Sequence, residues 1–126
     1  MAATITPITA PQNPDVTERE IIVYGTIALT GNYGGATTHG DTLDLTQFKD
    51  LLKSSQLPTK VEVWEDPPAG TAPSFAQFVF CPGTTQANGV LSIALAGTEL
   101  TENQTYATYP TVAAAVLRIC AWFPAY

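Results

Sequence analysis

Short apolar runs recur along this chain of 126 residues, and turn residues interrupt them at intervals of roughly ten positions. Ten prolines and nine glycines supply many of these interruptions. A segment of roughly ten residues leaves little room for a long helix, but it accommodates a strand and a turn. The spacing therefore predicts an all-β fold, a β-sandwich or jelly-roll-like domain with roughly six to eight strands.

Alternation of apolar and polar residues locates the strands. In residues 60–65, Val61 and Val63 alternate with Lys60, Glu62 and Trp64, which predicts a half-buried strand. The Asn88-Gly89 pair predicts a tight turn between two strands of a hairpin. The predicted strands span residues 18–29, 42–45, 60–65, 75–81, 90–95 and 115–123.

One short helix is predicted over residues 45–53. Its apolar positions follow a helical spacing, and either Asp44 or Thr46 is available as the N-cap. The helix is expected to run for about two turns and to end before Leu57-Pro58.

The first seventeen residues have a different composition. Pro7, Pro11 and Pro14 recur every three or four positions, which predicts an extended arm over residues 1–17 ahead of a sandwich domain over residues 18–126. Such a segment is ordered only when it lies against a neighbour. That neighbour is either its own domain or another protein chain, and the interpretation favoured here is another chain.

Charge narrows the range of partners. Five Lys and Arg against eleven Asp and Glu give a formal net charge of -6, the wrong sign for binding nucleic acid or anionic lipid. No apolar run of membrane-spanning length is present, and residues 1–7 lack the features of a secretory signal. We therefore expect a chain that is made without export and binds neither nucleic acid nor membrane.

The only histidine is His39, which has Asp41 and Asp44 nearby in the sequence. One imidazole and two carboxylates are able to hold a divalent metal ion. An exposed loop histidine is the favoured alternative, because no second His or nearby Cys completes a ligand set. No metal or cofactor is therefore expected.

Catalytic patterns are sparse elsewhere. Glu62 and Glu65 flank Trp64, as acids flank an aromatic platform in a glycosidase groove, but solvated charges at a strand end are the favoured explanation. Cys81 and Cys120 are interpreted as two buried thiols, with a single disulfide as the alternative. We expect no catalytic residues and no enzyme activity.

Aromatic residues are more abundant than one sandwich core requires. Tyr24, Trp64 and Trp122 lie on strands whose two faces are both apolar. One explanation is that loops and the short helix cover the second face. The favoured explanation is burial between subunits, because large apolar patches on small domains mark interfaces.

Two segments resemble a recurrent pattern in small virion structural proteins of tailed bacteriophages. They are Tyr24-Gly25-Thr26-Ile27-Ala28-Leu29-Thr30-Gly31-Asn32-Tyr33 and Gly40-Asp41-Thr42-Leu43-Asp44-Leu45. The segment Pro82-Gly83-Thr84-Thr85-Gln86-Ala87-Asn88-Gly89 and the closing Phe123-Pro124 are similar to the same group.

The resemblance implies a capsid decoration, or cement, protein that binds the outside of the major capsid protein lattice, often as a homotrimer. Its location would be the virion exterior after assembly in the host cytoplasm. Cement proteins sum many weak contacts, so interface roles are expected for six residues. They are Ile5, Pro7, Ile8, Pro11, Tyr24 and Trp122.

Three functions therefore remain. The favoured one is the decoration protein, which would lose capsid occupancy but keep its fold without residues 1–16. A tail or head-to-tail adaptor is the structural alternative. A small carbohydrate-binding or hydrolytic sandwich that uses Glu62, Trp64 and Glu65 is the alternative from another class.

Overall fold

The computed structural model describes residues 3–8, 13–17, 19–34, 39–52, 54–66 and 75–124, and the structural statements below concern these residues. Nine strands form two antiparallel sheets, so the predicted all-β, two-sheet fold is confirmed. The strands are β1 Ala3–Pro7, β2 Asp15–Val16, β3 Glu20–Leu29, β4 Asp41–Leu43, β5 Lys60–Glu65, β6 Gln77–Cys81, β7 Gly89–Leu95, β8 Thr98–Glu99 and β9 Leu117–Pro124.

The larger sheet has the strand order β1-β3-β9-β5, with β2 paired beside β1 on the same edge of β3. Its two central strands, β3 and β9, pair over eight residues, from Glu20 opposite Pro124 to Ile27 opposite Leu117. Strand β3 alternates between buried and less buried positions from Glu20 to Ile27, whereas β9 has three consecutive buried residues at its centre, Ile119, Cys120 and Ala121. Both strands carry apolar residues on their two faces, so the sequence predicts them from long apolar runs rather than from strict alternation.

The smaller sheet has the order β4-β7-β6, and β8 pairs with the end of β7. The predicted hairpin is confirmed, since β6 and β7 pair antiparallel with Phe80 opposite Leu91. Phe78 and Phe80 turn toward the other sheet and Val79 turns away, as their alternating burial shows. The core lies between the sheets and includes Val23, Ile27, Leu43, Leu91, Ile93, Leu117, Ile119 and Phe123.

The predicted helix is present in a different form. A 3₁₀ helix spans Leu45–Leu51, and the side chain of Asp44 caps it by accepting from the Thr46 backbone N–H at 2.9 Å. Lys49 interrupts it with a φ of 56°, so the segment does not form two regular α-helical turns. The only α-helix in the described part of the chain is the single turn Pro110–Ala113, which the sequence pattern did not indicate.

The predicted arm is not a separate appendage over its described residues. Strand β1 pairs with β3 along five residues, and β2 pairs with β3 at Ile22 and Ile21. Ala3 and Ile5 are buried in the core of the chain's own sandwich. The preference for another chain as the neighbour of this segment is therefore wrong for residues 3–8, because one face of β1 completes the inner layer of its own sheet.

Gly25 explains why β1 and the 3₁₀ helix fit against the middle of β3. A Cβ atom at this position would lie 2.9 Å from the Thr6 carbonyl oxygen and 3.1 Å from the Phe48 ring. Hydrogen in place of a methyl group lets both neighbours approach. The glycine inside the long strand is thus a packing position rather than a break.

The two cysteines have different environments, which corrects the expectation that both thiols are buried. Cys81 is exposed at the end of β6, whereas Cys120 is buried in β9. Both are free thiols, so the disulfide alternative does not apply.

Candidate functional site

The side of the larger sheet that faces away from the core carries a patch of aromatic and charged residues. Three rows cross it, since each outward residue of β9 lies between partners on β3 and β5. The rows are Ile22-Trp122-Lys60, Tyr24-Cys120-Glu62 and Thr26-Arg118-Trp64. These nine residues are called the outer face below.

The aromatic side chains of the outer face are only partly covered. Trp64 is 43% exposed, and Tyr24 and Trp122 are half-buried. The Lys60 ammonium lies 5.0 Å from the centre of the Trp122 ring, a cation–π contact. Trp, Tyr and Arg are the residue types that contribute most to protein–protein interfaces.

Each charged residue of the outer face is paired, and the partner of Arg118, Asp66, lies beside the face. Lys60 pairs with Glu62 at 2.9 Å, and Arg118 pairs with Asp66 at 3.0 Å. A chain with a net charge of -6 therefore has a nearly neutral, aromatic region on its largest sheet. A neutral aromatic surface suits a protein partner better than a polyanion.

Cys120 lies at the centre of the outer face but is only 4% exposed. Burial raises the pKa of its thiol to about 11, the Glu62 carboxylate adds to the rise, and Lys60 opposes it. Burial also raises the pKa of Tyr24, with smaller contributions from Cys120 and Asp15. Both groups stay neutral near pH 7 and act as packing groups rather than as nucleophiles.

The six residues predicted for an interface do not lie together in the structure. Tyr24 and Trp122 are brought together on the outer face, in adjacent rows. Ile5 is 4% exposed and packs in its own core, so its assignment to contacts with another chain is corrected. Pro7 and Ile8 are half-buried beside β3, and Pro11 lies outside the described residues. Ile22, Trp64 and Arg118 are not among the six predicted residues, but strand alternation places them on the same side of the sheet as Tyr24 and Trp122.

A groove of about 470 Å³ runs along the side of the sandwich next to the outer face. It lies between β5 and β6, which are the terminal strands of the two sheets. Its walls include half-buried Val61, Val63, Phe78 and Phe80, and Trp64 joins it to the outer face. These strands have no ladder partner on that side among the described residues.

The carboxylates proposed for a carbohydrate site do not converge. Glu62 and Trp64 share the outward side of β5, whereas the alternation of the strand directs Glu65 to the opposite side. Glu62 is paired with Lys60. A pair of acids facing one scissile bond, which glycoside hydrolysis requires, is not formed by Glu62 and Glu65.

His39 is exposed and contacts two carboxylates, which are not those of its sequence neighbours Asp41 and Asp44. Asp41 is buried and accepts from the Gly34 N–H at 2.8 Å, and Asp44 caps the 3₁₀ helix. The contacts of His39 are to Glu99 at 3.3 Å and Glu102 at 3.8 Å, both measured from Nδ1. The sequence offered no signal for this cluster, because its members are 60 and 63 positions apart.

A buried tyrosine holds one of these carboxylates in place. The Tyr33 hydroxyl donates to Glu99 Oε2 at 2.6 Å and accepts from the Ile93 N–H at 3.1 Å. The hydrogen bond from Tyr33 lowers the pKa of Glu99, and the nearby His39 contributes in the same direction. Burial, assisted by the same hydrogen bond, raises the pKa of Tyr33 to about 12.

Comparisons with known proteins give no relatives: no family model, no curated protein and no solved structure matches the chain. In the described residues, no helix combines the length and apolar character needed to cross a bilayer.

Proposed function

We propose that this chain is a non-enzymatic structural protein that decorates a viral capsid, with the outer face as its docking surface for the major capsid protein. The observation that carries the proposal is the clustering of Tyr24, Trp64, Trp122 and Arg118 on one side of the larger sheet. The resemblance to small tailed-phage virion proteins supplies the class of partner. The proposed location is the capsid exterior, where an acidic chain touches no DNA.

The chemistry of the described residues is consistent with binding rather than catalysis. His39 contacts carboxylates instead of a hydroxyl or thiol, and the Cys120 thiol stays protonated near neutral pH. The outer face instead offers partly covered aromatic area with paired charges at its rim. Such a surface gains from exclusion of water when a complementary protein covers it.

The test is co-sedimentation with empty shells assembled from the major capsid protein of the genome that encodes this chain. The wild-type chain should pellet with the shells at a saturating, lattice-defined ratio. Trp64→Ala and Trp122→Ala should reduce shell binding at least tenfold, because each removes an aromatic contact of about 2 kcal/mol or more. Circular dichroism spectra should show that both variants remain folded.

Phe75→Ala is the matched control. Phe75 is also a large aromatic residue and is 81% exposed, but it precedes β6 and lies outside the outer face. Its removal should leave shell binding unchanged. A wild-type chain that stays in the supernatant with intact shells would refute the decoration role, and equal effects of all three variants would refute the outer face as the docking surface.

The two alternative functions give different outcomes. Electron microscopy of the virus particle would show a ring at one vertex for a head-to-tail adaptor, but copies distributed over the shell for a decoration protein. Glycan-array binding that disappears in Trp64→Ala would favour the carbohydrate-binding alternative. Sedimentation equilibrium tests the proposed homotrimer, for which a mass three times that of the 13.4 kDa chain is expected.

A further inference from the structure

Three side chains with metal-binding atoms meet at one end of the sandwich, away from the outer face. His39 precedes β4, Glu99 belongs to β8, and Glu102 follows β8 in a turn. One donor atom from each lies within 4.8 Å of the other two. His39 Nδ1 is 3.3 Å from Glu99 Oε1 and 3.8 Å from Glu102 Oε1.

The 3.3 Å separation of His39 and Glu99 matches that of neighbouring ligands in a metal coordination shell, and the 3.8 Å separation of His39 and Glu102 is somewhat longer. Around a tetrahedral ion with bonds of about 2.0–2.1 Å, neighbouring ligand atoms are about 3.3 Å apart. An ion placed between the imidazole and the carboxylates therefore requires only small side-chain rotations. The set also mixes a nitrogen ligand with anionic oxygen ligands, which distinguishes it from a simple cluster of acids.

We propose that His39, Glu99 and Glu102 form a surface site for a divalent transition-metal ion of the Zn²⁺ type, with water filling the remaining positions. An imidazole ligand favours Zn²⁺, Cu²⁺ or Ni²⁺ over Mg²⁺ and Ca²⁺, which prefer sites made of oxygen atoms. This proposal is independent of the capsid role, since none of its ligands belongs to the outer face.

Two groups that are not metal ligands donate hydrogen bonds to the carboxylates and hold them in position. Tyr33, which is fully buried, binds Glu99 Oε2 and leaves Oε1 directed at His39. The His39 backbone N–H donates to Glu102 Oε1 at 2.8 Å, which holds Glu102 against the same loop. Partners of this kind orient metal ligands before the ion arrives and strengthen its binding.

A bound ion would join parts of the fold that are distant in sequence. It would connect the residue before β4 to β8 and the turn after it, across 60 or more positions. Because the unfolded chain does not hold these ligands together, binding stabilises the folded state and raises the melting temperature.

The experiment is isothermal titration of the full chain with ZnCl₂, and separately with MgCl₂ and CaCl₂. The protein carries no histidine tag, and Cys81→Ser is the background because an exposed thiol is itself able to bind Zn²⁺ and would compete with the proposed site. We expect saturable binding of one Zn²⁺ per chain, a higher melting temperature with Zn²⁺, and no binding of Mg²⁺ or Ca²⁺ at the same concentrations.

Two variants remove ligands with little disturbance of the loop. His39 has a φ of 64°, and asparagine tolerates this conformation, so His39→Asn removes the imidazole while keeping the backbone. Glu102→Gln retains an oxygen that accepts the His39 N–H. Each should weaken Zn²⁺ binding at least tenfold, whereas the control Glu62→Gln, an equal loss of charge elsewhere, should not.

His39 is the only histidine of the chain, so its imidazole signals in a nuclear magnetic resonance spectrum are unambiguous. They should shift on addition of Zn²⁺ and saturate at one equivalent. Absence of saturable Zn²⁺ binding would overturn the proposal and leave an ion pair as the role of the cluster. Unchanged Zn²⁺ affinity in His39→Asn would also overturn it.

Discussion

The side-chain amide of Asn13 binds both backbone groups of Tyr24. Its Nδ2 donates to the Tyr24 carbonyl oxygen at 2.9 Å, and its Oδ1 accepts from the Tyr24 N–H at 3.1 Å. The same Nδ2 donates to the Ile8 carbonyl oxygen at 2.6 Å. Strand β1 pairs with one part of β3 and β2 pairs with another. The Asn13 side chain bonds to β3 between these two parts, where neither strand pairs with it.

Asn13→Ala should reduce the free energy of unfolding by about 1–3 kcal/mol, because the Tyr24 N–H and the Ile8 carbonyl oxygen lose their bonds to Asn13, although the Tyr24 carbonyl oxygen still accepts from the Ile8 N–H at 3.1 Å. Asn13→Asp is the informative companion. A carboxylate still accepts from the Tyr24 N–H but cannot donate to the two carbonyl groups, so it should also destabilise. Urea denaturation measures both, and a midpoint unchanged in Asn13→Ala would show that water replaces these bonds without cost.

Deletion of residues 1–8 should destabilise the sandwich severely, in contrast to the expectation that the fold survives without the arm. The deletion removes β1 from the edge of β3 and takes Ala3 and Ile5 out of the core. Loss of the Ile5 side chain alone should cost about 2–4 kcal/mol. Thermal melting followed by circular dichroism tests this.

The matched control for the deletion is Thr6→Lys, since Thr6 belongs to the same strand but its side chain is exposed. This substitution should change the free energy of unfolding by no more than about 0.5 kcal/mol. A truncated chain that melts like the full one would restore the interpretation of this segment as an appendage.

The sequence pattern predicted the strands whose apolar residues alternate or cluster between turn residues, namely β3, β4, β5, β6, β7 and β9. Strand β5 begins and ends at the predicted residues, and the less exposed Val61 and Val63 alternate in it with the exposed Lys60, Glu62 and Trp64. The pattern failed at the N-terminal segment for a physical reason. An extended, proline-containing strand has the same local sequence whether it joins its own sheet or a neighbour's.

The sites were predictable to different degrees. Alternation along each strand predicts that Tyr24 and Trp122 point away from the core. It does not show that β5 pairs with β9 and so brings Trp64 to the same surface. The His39 cluster depends on Glu99 and Glu102, which approach only after β8 pairs with β7. Such long-range proximity leaves no trace in local periodicity.

Tyr106→Phe should lower the free energy of unfolding by about 2–4 kcal/mol. The buried Tyr106 hydroxyl donates to Asp41 Oδ2, so the variant leaves a buried carboxylate with one donor fewer. Tyr109→Phe is the control, because its hydroxyl accepts an exposed hydrogen bond from the Thr101 N–H at 3.0 Å and should contribute less than about 1 kcal/mol. Denaturant unfolding compares the two, and equal losses would contradict the importance of the buried pair.

The two thiols should differ in reactivity on the folded chain. With its pKa raised to about 11, the Cys120 thiol is about one part in a thousand thiolate at pH 8, and its burial also restricts access. Iodoacetamide at this pH should therefore add one group, at exposed Cys81, as measured by mass spectrometry of peptides. The folded Cys81→Ser variant should remain unmodified. Rapid modification of Cys120 would contradict the burial of its thiol at the centre of the outer face.

The same pKa shift predicts a loss of stability in alkaline solution. The folded-state pKa of Cys120, about 11, lies above the ordinary value of 9.0, so the unfolded chain releases this proton at lower pH. The neutral thiol therefore contributes fully to the free energy of unfolding below about pH 9, and this contribution decreases as the pH rises toward 11. Cys120→Ala lacks this proton, so its free energy of unfolding should fall less over that range. Parallel curves for the two proteins would show that the thiol titrates as an ordinary exposed group.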